Sequence, residues 1–236
     1  MITTLGALVT LSALAFAEPK LISVGYLWHQ KSTPGGQEEI QAVPYVPCVG
    51  DVLLFDDMSR FWTFLYKIAG TAPPFHAGIV FKKPDGSLAV LESGPDDTLH
   101  VFLLDIHPRL HDFEGSILIR QTKKVLSQEE SKKLTDFAVA QDGKRYAMWR
   151  LLLQGTPVRH RGGIKEKILA TTYADRSRWL CAEIVVSAGT LVGLFDPAKV
   201  KGTTTYPLDM VDDVRIDLSA TFEPPYYWSS LTAPKR

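Results

Sequence analysis

Cys181 is the residue best suited to nucleophilic chemistry in this chain of 236 residues. It opens the stretch CAEIVVSAGTL, in which Ile184, Val185 and Ala188 follow it at helical spacing. This spacing predicts that Cys181 lies at a helix N-terminus, where free backbone N–H groups and the helix dipole favour thiolate over thiol. Free cysteine is also among the most often buried residues, so the alternative role for Cys181 is packing in the core.

A cysteine nucleophile needs a base and a group that orients it, and His76 and Glu92 are the candidates. His76 begins an apolar segment, whereas the other five histidines lie in polar or Pro-rich surroundings. Glu92 ends the segment that returns from a predicted hairpin turn at residues 82–86, so its carboxylate could accept the imidazole N–H. Each residue alone is more often structural, but with Cys181 they form a predicted Cys–His–Glu triad.

The elements that must position this triad are short strands and a few helices. Short apolar runs between tight turns predict an antiparallel sheet, with strands at residues 50–55, 76–81, 87–92, 98–106 and 116–121. Helices are predicted at residues 58–69, 127–141, 146–153 and 164–170 and from Cys181 onward. Residues 18–48 are predicted to be loop or an edge segment, and the C-terminus is polar and contains Pro224, Pro225 and Pro234. The predicted fold class is α+β, with the sheet packed against helices.

Charge and cysteine content exclude several classes of function. Lys plus Arg and Asp plus Glu both number 26, and zero net charge does not suit a general polyanion binder, so no nucleic-acid partner is expected. The two cysteines, Cys48 and Cys181, form no zinc-binding pattern, and we expect neither a metal nor a cofactor.

The N-terminus predicts export. Residues 5–17 are apolar and uncharged, and Ala15-Phe16-Ala17 matches a cleavage site, so residues 1–17 are predicted to be a signal peptide and residues 18–236 a single domain. The protein would then be periplasmic or extracellular. No Lys or Arg precedes the apolar run, and if the segment is not a signal, the protein is expected to be cytoplasmic. No transmembrane span is predicted.

Several segments together resemble a known family. GDVLLF, FHAGIVF, AVLES, WLCAEIVV and TYPLDM resemble the circularly permuted papain-like amidases of the NlpC superfamily, the YiiX/YaeF-like group. The resemblance covers most of residues 50–210 and implies a permuted papain-like fold with Cys181 as nucleophile, His76 as base and Glu92 as orienting residue. The family usually has Ser after the cysteine, where this chain has Ala182, and Ser or Thr before the histidine, where this chain has Phe75. These differences put substrate specificity in doubt.

The resemblance implies a thiol hydrolase that cleaves an amide bond through an acyl-cysteine intermediate, with cell-wall peptides as one substrate class. The alternatives are a lipid-directed acyltransferase or thioesterase that uses the same three residues, and a binding module without turnover. Nine basic and two acidic residues lie between Lys144 and Arg178, so this segment is predicted either to attract an anionic peptide or lipid-like substrate or to be a solvated face. The backbone N–H of Cys181 is the expected oxyanion donor, and a second would come from the segment around Asp51 or Tyr146. Nothing in the sequence indicates an oligomeric state.

Overall fold

A computed structural model describes residues 22–32, 38–57, 64, 71–94, 99–154 and 176–231. The predicted signal peptide and the predicted helices at 58–69 and 164–170 lie outside this described part, apart from residue 64. None of the helices in the described ranges has the length and apolar character needed to cross a bilayer.

The architecture is α+β and is built on one eight-stranded antiparallel sheet, as the alternation of short apolar runs and turns predicts. The strands are β1 (Tyr26–Ser32), β2 (Glu38–Pro44), β3 (Val52–Asp56), β4 (His76–Lys82), β5 (Leu88–Ser93), β6 (Val101–Asp105), β7 (Ser116–Arg120) and β10 (Tyr226–Ser229). Their order across the sheet is β2-β1-β10-β7-β3-β4-β5-β6. Two further short strands, β8 (Arg145–Tyr146) and β9 (Arg178–Trp179), pair in parallel apart from this sheet.

The described residues include four complete α-helices, three of which pack on the sheet. They are α1 (Ile106–His111), α2 (Gln128–Gln141), α3 (Met148–Gln154) and α4 (Cys181–Leu191), and two short 3-10 helices follow at Gly202–Thr204 and Pro207–Met210. Helices α2 and α4 pack against β4 on one face, and α1 packs against β5 and β6. The helix α2 begins with the capping box that its sequence predicts, in which Ser127 and Glu130 bond each other's backbone N–H.

Strand alternation divides the core into two clusters, one on each face. Ile79 and Leu91 point towards α4 and pack with Ile184 and Val185 in the first cluster. Val80 and Val90 point the other way and pack with the second cluster, which contains Phe55, Ile106 and Leu110. Residues of even number on β4 therefore share a face with residues of even number on β5.

The structure differs from the sequence-based prediction at three places. The strand expected at residues 98–106 is Val101–Asp105, and Ile106 already begins α1. Residues 18–48, predicted as loop or edge segment, include the hairpin of β1 and β2 at one edge of the sheet. No strand is predicted in the polar C-terminus, but β10 lies there and pairs with β1 and β7.

Candidate active site

The helix α4 presents Cys181 to the start of β4. Cys181 is the first residue of α4, so helix geometry leaves its backbone N–H without an intrahelical acceptor. Its side chain is largely buried, and the thiol lies 3.8 Å from the carbonyl oxygen of Phe75, the residue that precedes His76. The N-terminus of α4 and the first residue of β4 therefore meet at one end of the sheet.

His76 and Glu92 form a short hydrogen bond within the sheet. The distance between His76 Nε2 and Glu92 Oε2 is 2.6 Å, and Glu92 is fully buried. Burial alone raises the pKa of the Glu92 carboxyl, but the hydrogen bond and charge of His76, together with Arg109, outweigh it and lower that pKa below its ordinary value. The carboxylate is thus held ionised inside the protein.

The imidazole of His76 interacts with both of its predicted partners. Burial lowers its pKa, while hydrogen bonding and charge interactions with Cys181 and Glu92 raise it, and the net result is a pKa of about 10. Because Nε2 is committed to Glu92, Nδ1 is the nitrogen that can exchange a proton with the thiol. Nδ1 is buried and has no hydrogen-bond partner of regular geometry in the described part of the chain. The structure therefore brings the three predicted residues together.

Glu92 reaches His76 diagonally across the β4–β5 ladder. The direct partner of Glu92 is Gly78, two residues beyond His76, and all three side-chain positions are on the same face. A Cβ atom on Gly78 would lie 2.7 Å from Cγ of Glu92 and 2.5 Å from Cγ1 of Val90. The absence of a side chain at Gly78 thus gives the Glu92 side chain the space that it occupies.

Arg109 is part of this site, and the sequence analysis did not identify it. It lies on α1, and its Nε and Nη2 donate to Glu92 Oε1 and Oε2, both at 2.8 Å. The sequence analysis assigns no element to this position, which lies beyond the strand predicted at residues 98–106, and the sequence offers no motif that marks this arginine among its neighbours. Only the packing of α1 against β5 brings it to the carboxylate.

Glu183 ties the start of α4 to the basic stretch between Lys144 and Arg178. Its buried carboxylate accepts from Arg150 Nη1 at 2.6 and 2.8 Å, from Arg176 Nε at 2.9 Å and from the backbone N–H of Leu180 at 3.4 Å. Arg150 and Arg176, which belong to the stretch predicted to attract an anionic substrate, are therefore already paired with Glu183. The basic residues at 159, 161, 165 and 167 lie outside the described residues.

A cleft opens at Cys181 and has about 420 Å³ of space, counted out to its mouth. Its apolar wall includes Phe75, Leu151, Leu180 and Pro207. Its polar groups come from Tyr146 and from the segment Thr203, Thr205 and Tyr206. The lining residues that the structure describes carry no charged side chain.

The sheet register distinguishes the two predicted sources of a second oxyanion donor. Asp51 lies beside Val80, at the opposite end of β4 from His76. Tyr146 lines the cleft with Cys181, but its backbone N–H donates to Leu99 and that of Ala147 to Trp179. Both backbone N–H groups of the Tyr146 segment are therefore already bonded.

Four of the other five histidines lie among the described residues. His100, His107 and His111 are exposed, as predicted, and His29 stacks on Tyr226. His160 lies outside the described residues. Among the described residues, no group of three or more His, Cys, Asp or Glu side chains is placed to hold a metal ion.

Comparison with solved structures gives partial likenesses at low similarity. No family model matches the chain, and no curated protein matches it. A crystal structure described as metalloprotein yiiX from Escherichia coli O157:H7, DUF1105, aligns with 63% of this chain and 68% of its own, at 18% identity and a TM-score of 0.43. The chain therefore has a YiiX-like structural neighbour at low similarity.

Proposed function

We propose that this protein is a thiol hydrolase that cleaves an amide or ester bond through an acyl-cysteine intermediate. The observation that carries the proposal is the contact at 2.6 Å between His76 Nε2 and the buried Glu92 carboxylate, beside a thiol at a helix N-terminus. A buried carboxylate that accepts the imidazole N–H stabilises the imidazolium and orients the ring, which a cysteine nucleophile requires. A permuted papain-like fold and export of the chain belong to the same proposal.

The proposed reaction begins from an imidazolium–thiolate pair. The raised pKa of His76 favours proton transfer from Cys181 to Nδ1. The thiolate attacks the acyl carbon, and the backbone N–H of Cys181 at the start of α4 stabilises the oxyanion that forms. As the tetrahedral intermediate collapses, the imidazolium gives its proton to the leaving amine or alcohol. Water, deprotonated by the neutral imidazole, then attacks the thioester and releases the acid and the thiol.

The lining of the cleft favours an apolar acyl group. Phe75, Leu151 and Leu180 would surround the acyl chain, and no described lining residue offers a charge to bind an anion close to the sulfur. Burial of each methylene in such a site contributes about 0.8 kcal/mol. This observation supports the second candidate, a lipid-directed thioesterase or acyltransferase, which differs from the hydrolase only in the acyl group and the acceptor.

Acyl trapping tests the proposal. Wild-type protein is incubated with p-nitrophenyl esters of acetate, butyrate and octanoate, quenched in acid, and analysed by peptide mass spectrometry. We expect an acyl adduct on Cys181 that is lost in Cys181→Ala and reduced at least tenfold in His76→Ala. Equal labelling of Cys48 and Cys181, or a His76→Ala variant that is acylated like the wild type, would contradict the proposal. A rate that rises with chain length supports the lipid-directed candidate, and a rate that falls supports small acyl groups.

A further inference from the structure

Arg109 occupies the side of Glu92 that faces away from His76. Its Nε and Nη2 donate to the two carboxylate oxygens at 2.8 Å each, in the bidentate geometry that guanidinium favours. Oε2 accepts from His76 as well, at 2.6 Å. The carboxylate therefore has N–H donors on both oxygens and lies between two cationic partners.

The guanidinium of Arg109 is itself held in place by two aromatic rings. Its central carbon lies 4.4 Å from the centroid of Phe55 and 5.1 Å from that of Phe113. The Phe55 ring in turn lies 5.7 Å from the His76 ring. The side chain of Arg109 is only 10% exposed. Because the guanidinium packs against two adjacent rings, it can hold the carboxylate in one orientation rather than merely near it.

The contact between Arg109 and Glu92 decides which nitrogen of His76 is available to exchange a proton with the thiol. A buried carboxylate without a second cation would gain a proton at higher pH, and a protonated Glu92 no longer requires a proton on Nε2. With Glu92 ionised and fixed, Nε2 keeps its proton and Nδ1 faces the thiol. We propose that Arg109 is a positioning residue of the active site, which keeps Glu92 ionised and oriented so that His76 exchanges protons with Cys181 through Nδ1.

The proposal rests on the proposed function, and it makes a prediction specific to Arg109. In Arg109→Gln, protonation of Glu92 should move the acid limb of the Cys181 pH profile to higher pH by about 1–3 units, since a nearby opposite charge lowers a carboxyl pKa by about that amount. In Arg109→Lys the positive charge stays, but the pair of guanidinium N–H donors is lost. We therefore expect a smaller shift of the acid limb and a reduced alkylation rate at the plateau.

The experiment measures iodoacetamide alkylation of Cys181 by peptide mass spectrometry, from pH 4 to 9, in full-length wild type, His76→Ala, Arg109→Gln and Arg109→Lys. Each variant is checked for folding by circular dichroism at every pH. The matched control is Arg120→Gln. Arg120 is also a buried arginine paired with a carboxylate, since its Nη2 donates to both oxygens of Asp213. It lies on β7 opposite Val52, at the end of β3 away from His76. This control should lower thermal stability and leave the Cys181 profile unchanged.

The outcomes separate the two proposals. A wild-type Cys181 rate that does not depend on His76 would refute the proposed function. A His76-dependent wild-type rate with an unchanged profile in folded Arg109→Gln would overturn the role of Arg109 alone. If Arg109→Gln does not fold, Arg109→Lys decides, and a plateau and acid limb equal to those of the wild type would overturn the proposal. A shift of the same size in Arg120→Gln would also overturn it, because the effect would then follow from lost stability.

Discussion

Gly78 and Glu92 face each other across the β4–β5 ladder, and the missing side chain of Gly78 leaves the space through which Glu92 reaches His76. A Cβ atom at Gly78 would lie 2.7 Å from Cγ of Glu92. The His-x-Gly spacing at residues 76–78 thus has a geometric reason, since the first residue supplies the imidazole and the third makes room for its partner.

Gly78→Ala should disrupt this arrangement. The added methyl would overlap both Glu92 and Val90, and overpacking of this kind costs about 1–3 kcal/mol of unfolding free energy. We expect the displaced carboxylate to lose its bond to His76, so that alkylation of Cys181 slows. The double variant Gly78→Ala, Val90→Ala removes the overlap with Val90 and keeps the overlap with Glu92. It should regain part of the stability and none of the reactivity, whereas recovery of both would show that Glu92 had not moved.

The two cysteines should differ in reactivity at mildly acidic pH. Burial, with the nearby charge of Asp51, raises the pKa of Cys48, and its thiol has no imidazole partner among the contacts described. Cys181 has His76 beside it. At pH 6, iodoacetamide should therefore modify Cys181 at least tenfold faster than Cys48, even though Cys48 is the more exposed, because the thiolate is the reactive form. His76→Ala should remove most of this difference in peptide-level alkylation rates.

Glu183 should matter for stability more than for chemistry. Glu183→Gln weakens the contacts to Arg150 and Arg176 and leaves buried polar groups poorly paired, which costs roughly 1–3 kcal/mol. Among the described residues, the bonds of its side chain go to Arg150, Arg176 and the backbone of Leu180, and none goes to Cys181 or His76. Alkylation of Cys181 well below the melting temperature should therefore stay within about threefold of the wild-type rate, less than the tenfold change that ~1.4 kcal/mol represents. Chemical denaturation and alkylation are measured on the same sample. A large loss of reactivity at unchanged stability would assign Glu183 to the reacting groups instead.

Asp51 should give the protein an unusual pH dependence of stability. Its carboxylate accepts from the Tyr45 hydroxyl and the backbone N–H groups of Cys48 and Thr122, all at 2.9 Å, yet burial raises its pKa to about 6. The folded state then binds the proton more tightly than the unfolded state. The contribution of the Asp51 carboxyl to the free energy of unfolding is fully present below pH 3.8. It falls by about 3 kcal/mol as the pH rises to 6.

The measurement is the unfolding free energy from pH 3.5 to 7.5 in wild type and Asp51→Asn. The variant should be less stable overall, because an amide nitrogen replaces one acceptor oxygen, and the wild-type-minus-variant difference should shrink as pH rises from 4 to 6. A difference that grows over this range would mean that the three hydrogen bonds outweigh burial and that the pKa is lowered.

Local patterns in the sequence were enough to predict several of the elements that carry the site. The apolar spacing after Cys181 predicted α4 and its N-terminus, and the turn at 82–86 predicted the hairpin of β4 and β5. The Ser127 capping box predicted the start of α2. These features depend on residues within a few positions of each other, so helix periodicity, turn chemistry and strand alternation contain the necessary information.

The contacts between distant segments were decided only by the tertiary structure. Strand β10 has an unremarkable polar and aromatic sequence, and it is a strand because β1 and β7 supply its hydrogen-bond partners. Arg109 joins the site because α1 packs on β5, and Tyr146 borders the cleft because β8 pairs with β9 just before α4. Residue type and spacing determined which groups could react, whereas their distances and protonation depend on packing between segments far apart in the chain, which no local pattern encodes.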